Sequence, residues 1–112
     1  MPVSDSELEQ AVAMIGHDLM ATLGWKTHQA STFAKQAASA VAEWWDGEPG
    51  AYAIKVAEDV QQKLHDTFVD TTWPACPLHR RHPLWLEHDL VAWGCTQTGR
   101  VIAPLGSLSA TS

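Results

Sequence analysis

The sequence predicts an α+β fold, a three-helix N-terminal bundle followed by a small antiparallel β tail, on three observations. Apolar residues recur in steps of three and four through residues 1–72, which is the period of one helix face. That period stops at Thr71-Thr72-Trp73-Pro74. Beyond it come short β-prone pieces separated by polar or Gly-bearing turns. The expected division is therefore a helical bundle over 1–72 and a β tail over 73–112, packed on the bundle as a single compact unit.

The first helix opens at Ser4, with Glu7 three residues on, the spacing of a capping box. Leu8, Val12, Ile15, Leu19 and Leu23 trace one face, and Gly24 supplies the stop. His17 and Asp18 lie away from the centre of that stripe and are expected to face solvent. The second helix is expected from an N-cap at Thr27, presenting Phe33, Ala37, Val41 and Trp44. Its alanines at 30, 34, 37, 38, 40 and 42 give high helix propensity and a thin side for close approach. Asp46-Gly47-Glu48-Pro49-Gly50 breaks it. The third helix is expected from about Ala51 to about Asp70, on Ala53, Ala57, Val60, Leu64 and Phe68, with His65 beside that face as a surface residue. Three helices with short joints predict an antiparallel bundle. In the tail, strands are expected at Leu84 to Leu86, Leu90 to Trp93 and Arg100 to Ala103, and the last residues from Ser109 to Ser112 as a frayed end.

Composition narrows the function classes. The 112 residues are 46% apolar and include six Trp, enough for one core at the small end of the range, with the aromatics as its expected anchors. Net charge is −6; residues 1–72 hold eleven acids and four bases, and residues 73–112 two acids and three bases. A phosphate-binding face carries the opposite sign, so nucleic acid is an unfavoured partner. Arg80 and Arg81, with Arg100 and Trp85, form the small cationic and aromatic set that would support it; Trp85 is expected in the core. No apolar run reaches the roughly 18 to 20 residues that span a bilayer, and the N-terminus lacks a basic segment followed by an apolar one. The expectation is a cytoplasmic chain without a membrane, whose two cysteines, Cys76 and Cys95, are thiolate ligands or buried thiols rather than a disulfide.

Metal chemistry is concentrated in the tail. Cys76 and His79 have the C-x2-H spacing around Pro77, His82 follows three residues later, and Cys95 arrives beyond a hairpin. Two thiolates and two imidazoles suit tetrahedral Zn²⁺. With its CPLH knuckle, Pro83-Leu84, Trp93-Gly94-Cys95 and the Gly99 turn, the tail resembles a zinc ribbon. That resemblance implies one structural zinc clamped by two knuckles. The second knuckle departs from the family pattern, since Thr98 stands where a second ligand belongs. His82, or less favourably His88, would have to complete the set Cys76, His79, His82, Cys95.

A structural zinc would supply folding free energy that so small a ribbon lacks. The expected role is then a non-catalytic interaction or adaptor module with an unspecified protein partner, and self-association through the alanine-rich helix is open. The alternative is a small zinc enzyme in which Cys76, His79 and Cys95 leave a fourth position for water, with Glu87 or Asp89 as base. The chain carries no H-x-E with P-C-x-x-C, no Gly-rich phosphate loop, no G-x-S-x-G and no H-E-x-x-H. Finally, Pro104-Leu105-Gly106-Ser107-Leu108 resembles the short tails that load cargo into encapsulin shells, although leucines that pack back on the helices account for it more simply.

Overall fold

A computed structural model describes residues 3–67, 72–79 and 81–109. It contains three helices, α1 (Asp5–Leu23), α2 (Thr27–Ala42) and α3 (Pro49–Asp66), and a three-stranded antiparallel sheet in the order β1 (Trp85–Glu87), β2 (Ala92–Gly94), β3 (Val101–Pro104). The α+β architecture is the one the periodicity predicts.

The boundaries follow local chemistry. Ser4 caps α1 by accepting from the Glu7 amide at 3.1 Å, and its hydroxyl donates to the Glu7 carboxylate at 3.0 Å. Two side chains thus organise the first turn. At the other end Gly24, at φ 69°, donates its N–H to Met20 O. Against expectation, Thr27 lies inside α2, and the flanking Lys26 makes no side-chain cap. The third helix starts two residues early because Pro49 occupies its first turn, where a fixed φ is preorganised and a missing N–H costs nothing. Phe68, expected on its inner face, lies outside the described residues.

The three helices pack on one another through small residues of α2, where Ala30, Ala34, Ala37 and Ala38 are fully buried. Absence of bulk there lets Ile15 and Leu19 of α1 and Val56, Val60 and Leu64 of α3 share one core. Tyr52 fills the α2–α3 side and donates its hydroxyl to Ala38 O at 2.6 Å. The same core continues into the tail through Trp73, Leu84, Trp93, Leu105 and Leu108. Trp73 and Trp93 meet edge to face at 5.5 Å and 83°, a geometry worth about 0.5 to 1.5 kcal/mol beyond area burial.

Polar anchors set the tail's position, and one of them corrects the sequence reading. Asp18 is fully buried, not solvent-facing. Its Oδ2 accepts from Trp93 Nε1 and from the Gly106 amide, both at 2.8 Å; its Oδ1 accepts from the Leu108 amide at 3.0 Å and lies 3.0 Å from His17 Nδ1. One side chain of α1 therefore satisfies the indole of β2 and the backbone of the last turn. Gln61 does the same from α3, donating to Trp73 O at 3.1 Å and Leu84 O at 2.8 Å. Trp73 Nε1 in turn donates to Thr22 Oγ1 at 2.8 Å.

Gly106 is required where the tail crosses α1. Its φ is +91°, and an added Cβ would stand 2.9 Å from Met14 Cβ. Leu105 and Leu108, on either side, are each 5% exposed. Engagement of this segment by a shell protein would first have to release both leucines and the two backbone amides, Gly106 and Leu108, that donate to Asp18.

The strands are shifted from their expected bounds by one or two residues. Trp85 pairs with Gly94 and Leu86 with Trp93, and across the sheet Trp93 pairs with Ala103 and Gly94 with Val101. Alternation then decides the fate of Trp85. Leu86 turns inward, and Trp85 stands 50% exposed instead of entering the core. Trp44, at 57%, is likewise outside it.

Candidate metal centre

Two turns brought together by the sheet create the site. The first begins where the chain leaves the bundle. Ala75 forms an isolated antiparallel bridge with Pro83, flanked by Cys76 N–H to His82 O at 2.9 Å and Leu84 N–H to Pro74 O at 2.7 Å. Between these rungs the chain makes two successive turns, His79 N–H to Cys76 O at 3.2 Å and His82 N–H to His79 O at 2.9 Å. Pro77 sits inside the first, where its ring presets φ. Cys76 and His79 thus stand at the two ends of one tight turn.

The second turn joins β2 to β3. Beyond Gly94, Cys95 N–H donates to Arg100 O and Gly99 N–H to Cys95 O, each at 2.8 Å. Gly99 closes it at φ +72°, a backbone region that costs glycine nothing.

Where the turns meet, Cys76, His79 and Cys95 come together with their ligand atoms all within 4.8 Å of one another, a group able to hold a metal ion. Both cysteines are buried and carry free thiols, and His79 is half-buried. His79 Nδ1 stands 3.8 Å from Cys76 Sγ and 3.4 Å from Cys95 Sγ. Among the described residues this is the one such group.

Thr98, the residue in the place of a missing ligand, has another task. Its hydroxyl donates to Cys95, the main reason that this thiol is pulled from an ordinary 9.0 to about 6. Burial opposes the shift, while the backbone N–H groups of Thr98 and Gln97 and the Cys76 side chain reinforce it. A sulfur held as thiolate is the form that binds metal.

The remaining candidates are arranged differently. His82 contributes its backbone to the first turn, but its exposed side chain is outside the three-residue group; its ring centroid is 6.3 Å from that of His79. His88 is committed elsewhere, with Nε2 3.2 Å from Glu58 Oε1 on α3. Glu87 lies over Gly94, where an added Cβ would meet its Cγ at 3.1 Å, and Asp89 is exposed in the hairpin turn. Arg80 lies outside the described residues, and Arg81 and Arg100 are exposed. His65 is half-buried rather than on the surface. Its Nε2 is buried without a hydrogen-bond partner, and it lines a cleft of about 150 Å³ with Glu58, Gln62, Trp85 and His88.

Sequence reasoning missed Thr98 as a donor to Cys95 and Asp18 and Gln61 as the anchors beneath the site. For Asp18 a signal existed. At 3.6 residues per turn it falls about 60° from Ile15, beside Ala11 on the edge of the apolar stripe.

Comparison with known proteins places the chain in a family. It belongs to the family described as a domain of unknown function, DUF8819, which it matches over residues 4–105. The match takes in the three helices, both turns and the sheet. No curated protein and no solved structure matches it. Among the described residues no helix is long and apolar enough to cross a membrane.

Proposed function

We propose that the tail is a zinc-ribbon-like module holding one structural zinc through Cys76, His79, Cys95 and His82, and that the protein acts as a non-catalytic interaction or adaptor module. One observation carries the metal assignment. Two ligands of a single tetrahedral zinc, at bond lengths of about 2.3 Å to sulfur and 2.0 to 2.1 Å to nitrogen, stand about 3.6 Å apart. The two sulfur-to-imidazole separations, 3.8 and 3.4 Å, straddle that value. Two thiols and an imidazole are also the soft-to-borderline donors that zinc favours over calcium or magnesium.

His82 completes the set by a small movement. Imidazoles sharing one tetrahedral zinc have ring centroids about 5 Å apart, against 6.3 Å here. The His82 side chain is exposed, so it can turn without disturbing the core. Support for an interaction role comes from the surface: Leu78 in the first turn is 50% exposed, and Trp85 and Val101, which both pair with Gly94, are 50% and 44% exposed. Large apolar groups gathered on one module favour a protein partner.

The exposure of His82 favours one second reading, a three-ligand site whose fourth position admits water, as a small zinc enzyme needs. Elemental mass spectrometry on protein purified under reducing, chelator-free conditions tests both. One zinc per chain, lost in Cys76→Ser, is expected. His82→Ala separates the readings: a closed structural site loses metal and tail structure together, whereas an open site keeps its metal. Absence of metal from the reduced wild-type protein ends both.

A further inference from the structure

The two cysteines have a use that a purely structural centre does not require. They are the chain's only cysteines, they arrive on separate turns, and their sulfurs lie within 4.8 Å of each other with His79 Nδ1 close to both. We infer that Cys76 and Cys95 form a reversible dithiol–disulfide couple, in which the disulfide and the metal are mutually exclusive states of one pair. The metal half rests on the zinc reading above; the couple itself requires only the two thiols.

Geometry permits the bond. A disulfide needs its sulfurs about 2.05 Å apart, so the pair must close by less than about 3 Å. Rotation about χ1 swings a sulfur through a comparable arc. Both cysteines border turns whose intervening residues are exposed, among them Leu78, Thr98 and Gly99, so the adjustment falls on the periphery and not on the helical core.

The chemistry balances with a hydroperoxide as oxidant. Cys95 gives up its thiol proton to solvent and, as the thiolate, attacks one oxygen of hydrogen peroxide. The O–O bond breaks, and the departing hydroxide takes a proton from solvent to leave as water, with a sulfenic acid on Cys95. Cys76 sulfur then attacks Cys95 sulfur, the S–O bond breaks, and the hydroxide leaves as water with the Cys76 proton. The two thiols are oxidised by two electrons in all, and the peroxide is reduced. Once both sulfurs are spent on each other, the imidazoles alone cannot keep the metal, and a dithiol reductant reverses the step.

The test uses the full chain, reduced, with its zinc content measured beforehand, and treats it with hydrogen peroxide before and after stripping by a chelator. Expected are a mass lower by two hydrogens, loss of both titratable thiols, release of one zinc per disulfide to a chromophoric chelator, and recovery on reduction. Stripped protein should oxidise severalfold faster than loaded protein. Cys76→Ser should stop at a sulfenic acid that dimedone traps, with Cys95→Ser lacking that adduct. Oxidation only to sulfinic or sulfonic acid, a disulfide between chains, or thiols that remain unreactive after stripping would each overturn the couple. A clean disulfide in a protein that never held zinc would uphold the couple and remove the metal centre. Bound zinc without any disulfide would do the reverse.

Discussion

Replacing Asp18 by Ala withdraws the acceptor from three donors of the tail at once, the Trp93 indole and the Gly106 and Leu108 amides, at 2.8, 2.8 and 3.0 Å. Asp18 is 0% exposed and Trp93 likewise, so water cannot replace the carboxylate without opening the core. Each buried donor left unsatisfied costs about 1 to 3 kcal/mol, and three sharing one acceptor do not add fully. Breaking a buried charged network by removing one member typically costs about 3 to 5 kcal/mol, and that is the expected loss. With a urea slope of about 1 to 3 kcal/mol per molar, the unfolding midpoint, read by tryptophan fluorescence, should fall by roughly 1 to 5 M. Amide exchange at Gly106 and Leu108 should accelerate more than exchange within α2. Glu9→Ala, on an exposed position of the same helix, should change stability by less than about 0.5 kcal/mol. An Asp18→Ala loss below about 1 kcal/mol, with those two amides unchanged, would refute the claim that this side chain holds the tail.

Other predictions follow from the same anchors and from the site. Gly106→Ala combines a positive φ with a 2.9 Å approach to Met14, and should cost about 1 to 3 kcal/mol by thermal or urea unfolding. Gln61→Leu leaves Trp73 O and Leu84 O without their donor; a loss of about 1 to 3 kcal/mol is expected, and a neutral result would count against its role in joining α3 to the tail. Thr98→Val removes the main influence lowering the Cys95 thiol to about 6. In metal-free protein the thiolate absorbance near about 240 nm should therefore titrate at higher pH than in wild type. The sign for stability follows. This thiol is lower in the folded state than its ordinary 9.0, so its contribution is full above pH 9.0 and is lost as pH falls through about 6. The variant should flatten that dependence.

How much was legible in the sequence varied with the kind of interaction. The stripe Leu8, Val12, Ile15, Leu19 placed α1 within a few residues, because helical periodicity is local and repeats several times in nineteen residues. The cysteine and first histidine of the candidate metal site were legible for the same reason: Cys76-x-x-His79 is one turn, and its geometry is set by adjacent residues. Strand boundaries slipped because each strand has only three or four residues, too few for alternation to define a register. Trp85 was assigned to the core for want of that register.

By itself, then, the sequence determined the helices and the turn that carries Cys76 and His79, features whose cause lies within a few neighbouring positions. Tertiary structure alone decided which residues meet that turn. Cys95 reaches His79 because a hairpin folds back across sixteen positions. Asp18 is buried because donors 75, 88 and 90 residues further along the chain converge on it. A carboxylate on the edge of an apolar stripe is stable on either side, in water or among donors; the partners that settle the choice exist only once the chain has folded.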